Sequence, residues 1–239
     1  MAQIGTCRFI VAVLAASAAF AADIPNTLTS AEKSAGWILL FDGKTTAGWL
    51  EVTGLPFPSD SWKIEDGSLR AFNPGHGFQD LRSEMVVRSY EFQFDWKIAK
   101  GGNSGVKYLV QKTDRWTNAE GLQARARGLE YQLFDDDSDP SLDPRNRCGA
   151  LYDAIAPTQA AGRPAGQFNH SLLIVRGSHV EHWLNGVKVV EFETSSPLVR
   201  DVIVKLAAGQ PPVSESFLSL QNHGTPAWFR NLKLRRLDH

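Results

Sequence analysis

The chain of 239 residues is predicted to be a single all-β domain, a β-sandwich or jelly roll. From Trp37 onward, short apolar or alternating runs are separated by Gly, Pro, Asn and Asp, which is typical of many short strands joined by turns. No apolar period indicates a helix of three turns or more. No sequence repeat or domain boundary interrupts the pattern, and the length suits one sandwich domain.

The N-terminal residues are predicted to be a secretory signal peptide. Arg8 precedes an apolar run from Phe9 to Phe20, and small residues around Ala21 suit cleavage there. The run is too short for a membrane span, and no later stretch supplies the roughly 20 apolar residues that a span needs. We therefore expect a signal peptide over 1–21, a lead-in over 22–36, a sandwich domain over 37–239, and a secreted or periplasmic protein.

Composition excludes some partners but does not identify one. The formal net charge of −1 argues against nucleic acid or an anionic membrane. After processing, Cys148 is the remaining cysteine, so no internal disulfide is predicted, and a lone cysteine of this kind is more often a small buried hydrophobe. Seven Trp and thirteen Phe suit both a core and sugar-binding platforms, and composition does not separate these uses.

The first half of the chain contains a succession of predicted strands. Two Asp-Gly pairs, at 42–43 and 66–67, are predicted to be turns. The strands around and after them are Trp37–Phe41, Trp62–Ile64, Ser68–Ala71, Met85–Val87 and Tyr90–Ile98. The last of these alternates so regularly that one face is predicted to enter the core.

A tight connection over 101–105 leads to a strand over 106–111. Val106 and Tyr108 occupy one face of that strand, and Lys107 occupies the other. A polar segment, Lys112 to Arg127, is predicted to lead into the next strand.

The strand Gly128–Asp135 is the most informative stretch of the sequence. Leu129, Tyr131 and Leu133 alternate with Glu130 and Gln132, so the apolar set is predicted to enter the core while the polar pair shares the opposite face. A carboxylate and a carboxamide held together can transfer a proton and orient a substrate. The alternative is that both side chains simply face solvent.

An acidic loop, Asp135 to Arg147, follows this strand and is long enough to be functional. Asp135, Asp137 and Asp139 have the alternate spacing that begins a calcium loop. However, Pro140 and Asn146 occupy the positions where an EF-hand requires Gly and Glu. No cofactor is therefore predicted, and a loosely bound calcium ion and a solvated loop remain the two alternatives for this segment.

The second half of the chain indicates a return to the same site and then a series of hairpins. Gly149–Asp153 is predicted to return toward Glu130, and Asn185-Gly186 is a type I′ turn signal. The remaining predicted strands are His170–Val175, His179–Leu184, Val187–Glu193, Phe217–Gln221 and Trp228–Leu237. Zinc-ligand spacing, a P-loop, a dinucleotide fingerprint and a Gly-x-Ser-x-Gly elbow are not found in the sequence.

Taken together, the motifs resemble the 3-keto-disaccharide hydrolase family over about residues 37–237. The motifs are Leu40-Phe41-Asp42-Gly43 with Gly48-Trp49, Gly102-Asn103-Ser104-Gly105-Val106-Lys107-Tyr108, Gly128-Leu129-Glu130-Tyr131-Gln132, Gly149-Ala150-Leu151-Tyr152-Asp153, His182-Trp183-Leu184-Asn185-Gly186, Leu220-Gln221-Asn222-His223-Gly224 and Trp228-Phe229-Arg230-Asn231. Each motif is weak alone, but their order and spacing make the set specific.

The resemblance implies a concanavalin A-like β-sandwich with a carbohydrate site on its concave sheet. It also implies activity on glucosides oxidised at carbon 3, either by hydrolysis or by elimination and rehydration. The chain departs from the family pattern in the loop after Gln132, where Ser138-Asp139-Pro140 replaces a His-Pro-Asp segment, and between Val199 and Ser216, which looks abbreviated. Leaving-group specificity is therefore open.

A 3-keto group acidifies the proton on carbon 2, so this chemistry needs a base, a group that stabilises the enolate, and an acid for the leaving oxygen. We assign Glu130 as the base or acid and Gln132 as a residue that orients a hydroxyl. Lys107 either stabilises the enolate or simply pairs with Glu130. His223 is either a proton donor or a turn histidine without that role. Tyr152 either donates to the keto oxygen or belongs to the core.

Three residues of the shared motifs, Asn103, Gln221 and Arg230, are predicted to contact substrate, with sheet-face pairing as the alternative for Arg230. His170, His179 and His182 are expected to have packing or surface roles. The predicted partner is a small oxidised glycoside, and the sequence does not indicate an oligomeric state.

Two other functions remain open. A non-catalytic carbohydrate-binding sandwich is the main alternative, because this architecture serves lectins as readily as enzymes. A conventional glycosidase would need a second carboxylate near Glu130, and that strand carries none.

Overall fold

A computed structural model describes residues 24–237, so the predicted signal peptide lies outside the described residues. Within that range the strands form one sheet of eight and one of six, and the concanavalin A-like β-sandwich is confirmed. No helix in this range is long and apolar enough to cross a membrane.

The strands are numbered along the chain. They are β1 (Ile38–Leu39), β2 (Trp49–Glu51), β3 (Trp62–Glu65), β4 (Ser68–Ala71), β5 (Gly77–Gln79), β6 (Leu81–Val87), β7 (Tyr90–Ile98), β8 (Asn103–Asn118), β9 (Gly121–Phe134), β10 (Asn169–Arg176), β11 (His179–Leu184), β12 (Val187–Glu193), β13 (Ser216–Leu220) and β14 (Ala227–Arg236). The helices are α1 (Ser30–Ser34) and α2 (Pro197–Ala207), with 3-10 turns at Asp136–Ser138 and Pro144–Asn146.

The larger sheet has the order β12-β11-β10-β7-β14-β4-β3, with β1 also paired to β14. The smaller sheet has the order β2-β6-β13-β8-β9-β5, and β5 pairs with β9 in parallel. The core lies between the two sheets. Strict alternation along β7 places Tyr90, Phe92, Phe94, Trp96 and Ile98 in it, as the sequence predicted.

Local turn chemistry explains why two hairpins form where the sequence predicted them. Asp66 and Gly67 have φ of 49° and 68°, and Asn185 and Gly186 have φ of 50° and 85°. Both pairs therefore adopt the left-handed conformation that a type I′ turn requires.

The prediction that the chain has no helix of three turns is wrong. The segment 197–207 forms α2, 11 residues long, which is about three turns. Its signals are weak but present: Pro197 stands in the first turn after Ser196, and Ala208 ends the helix in the left-handed conformation at φ 49°. The region that looked abbreviated in sequence therefore contains a helix, and fully buried Val199 anchors it to the core.

The predicted polar connection from Lys112 to Arg127 is also wrong, because β8 and β9 continue through it as one long hairpin. A bulge between Tyr108 and Lys112 interrupts the ladder, and Leu109 has φ of 46° there. The bulge resets the pairing, which explains why the alternation of the sequence fails at this point.

The acidic loop is held by hydrogen bonds within the protein. Asp135 accepts from the Gly101 amide at 2.8 Å, Asp136 from the Cys148 amide at 3.0 Å, and Asp139 from the Ser141 hydroxyl at 2.6 Å. Cys148 itself is buried, and burial raises the pKa of its thiol to about 12, consistent with a packing role.

Candidate active site

The outer face of the six-stranded sheet carries a transverse row of polar side chains. Neighbouring strands align Arg82 with Ser219, Ser219 with Lys107, and Lys107 with Glu130. The residues on either side of Lys107 and Glu130 are in the core, so alternation directs the two polar side chains away from it, as predicted. The register therefore places a lysine and a carboxylate beside each other on a rigid sheet.

Glu130 is nearly enclosed by protein. Its side chain is 11% exposed; Gln221 donates to Oε2 from Nε2 at 3.2 Å, and Lys107 Nζ lies 3.7 Å from the same oxygen. Burial raises the pKa of Glu130, and the positive charge of Lys107 opposes that shift only in part. A carboxyl group with a raised pKa is a stronger base than an ordinary glutamate, which suits it to proton transfer.

Gly105 leaves room for the Glu130 carboxylate. A Cβ at position 105 would lie 2.6 Å from Glu130 Oε1 and 2.8 Å from its Cγ, closer than side-chain atoms approach. Glu130 therefore lies across the glycine toward Gln221. The backbone N–H of Gln221 donates to the Gly105 carbonyl at 2.9 Å. The glycine of the Asn103-Ser104-Gly105 motif is required for this close approach.

Asp80, which the sequence analysis did not identify, anchors Lys107. Asp80 has no exposed side-chain surface, and its Oδ2 accepts from Lys107 Nζ at 3.3 Å and from the Ala126 amide at 3.1 Å. Its Oδ1 accepts from Arg125 at 3.2 Å and from the Asn222 amide at 3.1 Å. Four donors thus satisfy one buried carboxylate, as a buried charge requires.

A cleft of about 420 Å³ opens beside Lys107 and Glu130. The tip of Gly149–Asp153 forms one side, since the Tyr152 amide donates to the Glu130 carbonyl at 3.0 Å. Tyr152 is 44% exposed, so the alternative that it is a core residue is wrong. Burial and the neighbouring Glu130 charge both raise the pKa of Tyr152, which keeps its hydroxyl protonated. Helix α2 also lines the cleft, with Val202, Lys205 and Leu206.

Gln221, which contacts Glu130, is one of several residues whose side-chain amide oxygens are buried without a hydrogen-bond partner among the described residues. They belong to Asn103, Gln132, Asn146 and Gln221. Gln132 donates to the Asn146 carbonyl at 3.2 Å, which connects the acidic loop to the outer face. Unsatisfied buried acceptors cost free energy, so an explanation such as a bound donor is required. A ligand with several hydroxyl groups supplies such donors.

His223 lies at the exposed turn after Asn222, where the charges of Arg125, Lys107 and Asp80 act on it. Partial desolvation lowers its pKa, and the positive charges of Arg125 and Lys107 lower it further, which favours the neutral imidazole. The structure does not bring Arg230 to this site. Arg230 lies on β14 of the other sheet, where its guanidinium packs 3.7 Å from the Phe168 ring centre and pairs with Asp95 at 3.6 Å. Of the two interpretations of Arg230, substrate contact and pairing on the sheet face, the structure supports pairing on the sheet face.

The three strand histidines are away from the cleft, as expected. His170 contacts Asp95 at 2.9 Å on the surface, and His182 is buried. In the described range, the one group with metal-ligand proximity is His179, Glu181 and Glu191, whose ligand atoms lie within 4.8 Å of one another. The ammonium group of Lys188 pairs with Glu191 at 2.6 Å, so this cluster already contains a positive charge from the protein itself.

Fold and site together define a concanavalin A-like sandwich with a buried carboxyl group beside a ligand-sized cleft. Residues 36–235 match the family model of the 3-keto-alpha-glucoside-1,2-lyase-like domain, and the chain belongs to this family. It is 30% identical over 230 residues to a 3-keto-disaccharide hydrolase of Bacteroides thetaiotaomicron, covering 85% of this chain and 79% of the relative.

Solved structures share the architecture. The crystal structure of a candidate glycosyl hydrolase from Parabacteroides distasonis matches with a TM-score of 0.74 and 29% identity, covering 90% of this chain and all of that one. A second protein of that kind from the same organism matches with a TM-score of 0.64 and 24% identity, covering 84% of this chain and 99% of that one, and supports the fold alone.

Proposed function

We propose that this protein cleaves the glycosidic bond of 3-keto-glucosides by elimination followed by hydration, with Glu130 as the acid–base residue. The observation that carries the proposal is the enclosed Glu130 carboxyl group, held between Lys107 and Gln221 where the cleft opens. Family membership and the 3-keto-disaccharide hydrolase of B. thetaiotaomicron support the substrate class. The signal-like N-terminus supports a secreted or periplasmic location.

In the first step, the Glu130 carboxylate takes the proton from carbon 2, and the electron pair of that C–H bond forms an enolate with the 3-keto group. The Lys107 ammonium lies 3.7 Å from Glu130 and provides positive charge as the enolate oxygen becomes negative. A buried site strengthens this interaction because water does not screen it.

In the second step, the enolate expels the glycosidic oxygen from carbon 1 and leaves a double bond between carbons 1 and 2. The leaving oxygen requires a proton, and the protonated Tyr152 hydroxyl lines the same cleft. Water then adds its oxygen to carbon 1 and gives its proton to the Tyr152 phenolate, while protonated Glu130 gives a proton to carbon 2. Both residues return to their starting states, and a 3-keto sugar is released. Asn103, Gln132 and Gln221, whose amide oxygens lack partners among the described residues, are assigned to the hydroxyl groups of the ring.

The test is to incubate the purified chain with a methyl 3-keto-glucoside, in both anomers, and separately with its unoxidised parent. We expect cleavage of the keto compound alone. In deuterated water, mass spectrometry should find deuterium at carbon 2 of the product. Cleavage with oxygen-18 from water at carbon 1 but no deuterium at carbon 2 would instead indicate direct hydrolysis.

Glu130→Gln should lower kcat about a thousandfold, because a positioned acid–base group contributes 10²–10⁴ in rate. Affinity for the unoxidised glucoside, measured by calorimetry, should stay within about threefold. Glu191→Gln, at an exposed carboxylate on the other sheet, is the matched control and should keep full activity. If the unmodified protein binds a keto-glucoside but cleaves none, the proposal is rejected in favour of a carbohydrate-binding module.

A further inference from the structure

Trp116, on the long hairpin of β8 and β9, differs from the other tryptophans of the chain. It is 38% exposed, whereas the other six are buried or half-buried. Five of those six donate their indole N–H to an oxygen of the protein. The indole N–H of Trp116 has no acceptor within residues 24–237. A face of its ring and its N–H are therefore both available to a ligand.

The register of the hairpin places Trp116 on the face that lines the cleft. Beyond the bulge, Lys112 lies directly opposite Arg127, and both residues line the cleft. Asp114 is two residues further along β8 and lines it as well. Because alternate residues of a strand share a face, Lys112, Asp114 and Trp116 form one row. Trp116 is therefore the next side chain on that face after the lining of the cleft.

Arg127 connects the Trp116 ring to the cleft. Its Nε donates to Asp114 Oδ2 at 2.7 Å, and its guanidinium carbon lies 5.8 Å from the centre of the Trp116 ring. The other oxygen of Asp114 pairs with Lys112 at 2.8 Å. These charged groups hold one another in place along the row, and the cation beside the indole ring favours its position at the end of the row.

The Trp116 ring is more than one sugar ring away from Glu130. Gln123 lies opposite Trp116 and belongs to β9, the strand of Glu130. The seven residues from Glu130 back to Gln123, at a rise of about 3.3 Å each, correspond to about 23 Å. The single leaving ring of a disaccharide does not span such a distance, whereas a chain of several rings does.

We infer that Trp116 is a binding platform for a distal ring of an oligosaccharide leaving group, so that the preferred substrate carries its keto ring at the end of a chain longer than a disaccharide. The inference rests on the proposed function and deepens it. The C–H face of a pyranose ring packs on the exposed indole face, and a hydroxyl group at its edge accepts from the indole N–H. The rings between lie along Lys112, Asp114 and Arg127, whose charged groups hydrogen-bond hydroxyl groups.

The experiment measures kcat/KM for chains of two to five glucose rings that carry the keto group on the non-reducing ring, in an α-1,4-linked and a β-1,4-linked series. We expect kcat/KM of the parent protein to rise with chain length in one series. Trp116→Ala should lower kcat/KM for the five-ring chain about tenfold, the effect of about two buried CH groups, and leave the disaccharide unchanged. Trp116→Phe keeps an aromatic face and should recover part of the loss. Thr117→Ala, at an exposed position on the opposite face of β8, is the matched control and should behave as the parent protein.

Equal kcat/KM for all chain lengths in both series would overturn the inference while leaving the proposed function intact. So would a length effect that Trp116→Ala leaves unchanged, or a loss in that variant that is the same for two rings and for five. If no keto compound is cleaved, the proposed function fails, and the platform is then tested by calorimetry with unoxidised chains of the same lengths. Tighter binding of the five-ring chain that Trp116→Ala abolishes supports the platform, and equal binding by the two proteins rejects it.

Discussion

Glu130 shows how a single residue acquires its chemistry from opposing effects. Burial disfavours its charged form, while the nearby Lys107 ammonium favours that form. Burial prevails, and one structural reason is that Lys107 is shared: its Nζ lies 3.3 Å from Asp80 but 3.7 Å from Glu130. The negative charge of Asp80 acts in the same direction as burial and raises the pKa of Glu130 further.

Asp80→Asn should therefore change the pH dependence of catalysis. Removing the negative charge of Asp80 leaves Lys107 to act on Glu130 alone, so the pKa of Glu130 should fall. The acid limb of the plot of kcat/KM against pH should move to lower pH, and kcat on the plateau should drop because Glu130 becomes a weaker base. The variant should also lose about 3 kcal/mol of unfolding free energy, since a buried charge network loses one partner.

The control for this prediction is Asp114→Asn at the cleft rim, where the carboxylate pairs with Lys112 and Arg127 near the surface. Its acid limb should coincide with that of the parent protein. If Asp80→Asn lowers the rate at every pH by the same factor, Asp80 contributes to folding alone and does not act on Glu130.

The sequence could predict Glu130 and Lys107 but not Asp80, because the two kinds of information differ. Alternation within one strand is local and places Lys107 and Glu130 on a polar face. Asp80 lies in a single-residue link between β5 and β6, and its partners are 27, 45 and 142 residues away in Lys107, Arg125 and Asn222. No local pattern contains that information.

The difference between local and long-range information also explains which strands and helices the sequence predicts. The bounds of β11 and β12 agree with the sequence because alternation and the Asn185-Gly186 turn are both local. Helix α2 was missed because Val199, Val202, Ile203 and Val204 favour strands by intrinsic propensity. Burial of its inner face outweighs that propensity, so packing rather than local preference determines this element.

Val199→Ala tests how α2 is held. Val199 is a completely buried residue of α2. Its truncation should cost about 2 kcal/mol of unfolding free energy through lost burial and a small cavity. Urea denaturation measures the change. Leu198→Ala, at the adjacent exposed position, should change stability by less than about 0.5 kcal/mol. Equal losses for the two variants would mean that the helix is not anchored through Val199.

At the scale of the whole molecule, a buried hydrogen bond joins the two sheets. His182 on β11 lies 2.8 Å from the Tyr108 hydroxyl on β8, and its Nδ1 lies 3.0 Å from the Gly149 carbonyl. A carbonyl can only accept, so Nδ1 carries the proton and Nε2 accepts from Tyr108. The neutral imidazole is thus part of the core, and burial lowers its pKa to about 4.

This arrangement predicts a loss of stability in mild acid. Because the pKa of His182 is about 4 in the folded protein and 6.5 for an unperturbed histidine, the unfolded chain binds a proton first as pH falls. The full stability is present above pH 6.5, and roughly 3 kcal/mol is lost by pH 4, since each pKa unit corresponds to about 1.4 kcal/mol. Urea denaturation between pH 7.5 and 4.5 should give a shallower decline for His182→Gln than for the parent protein.

Tyr108→Phe separates titration from the loss of a hydrogen bond. That variant removes the partner of His182 but keeps the buried imidazole, so it should be less stable at every pH while retaining the decline of the parent protein. Parallel pH profiles for His182→Gln and the parent protein would assign the acid sensitivity to other groups. A shallower profile for His182→Gln alone would identify the histidine between the sheets as the group through which mild acid weakens the sandwich.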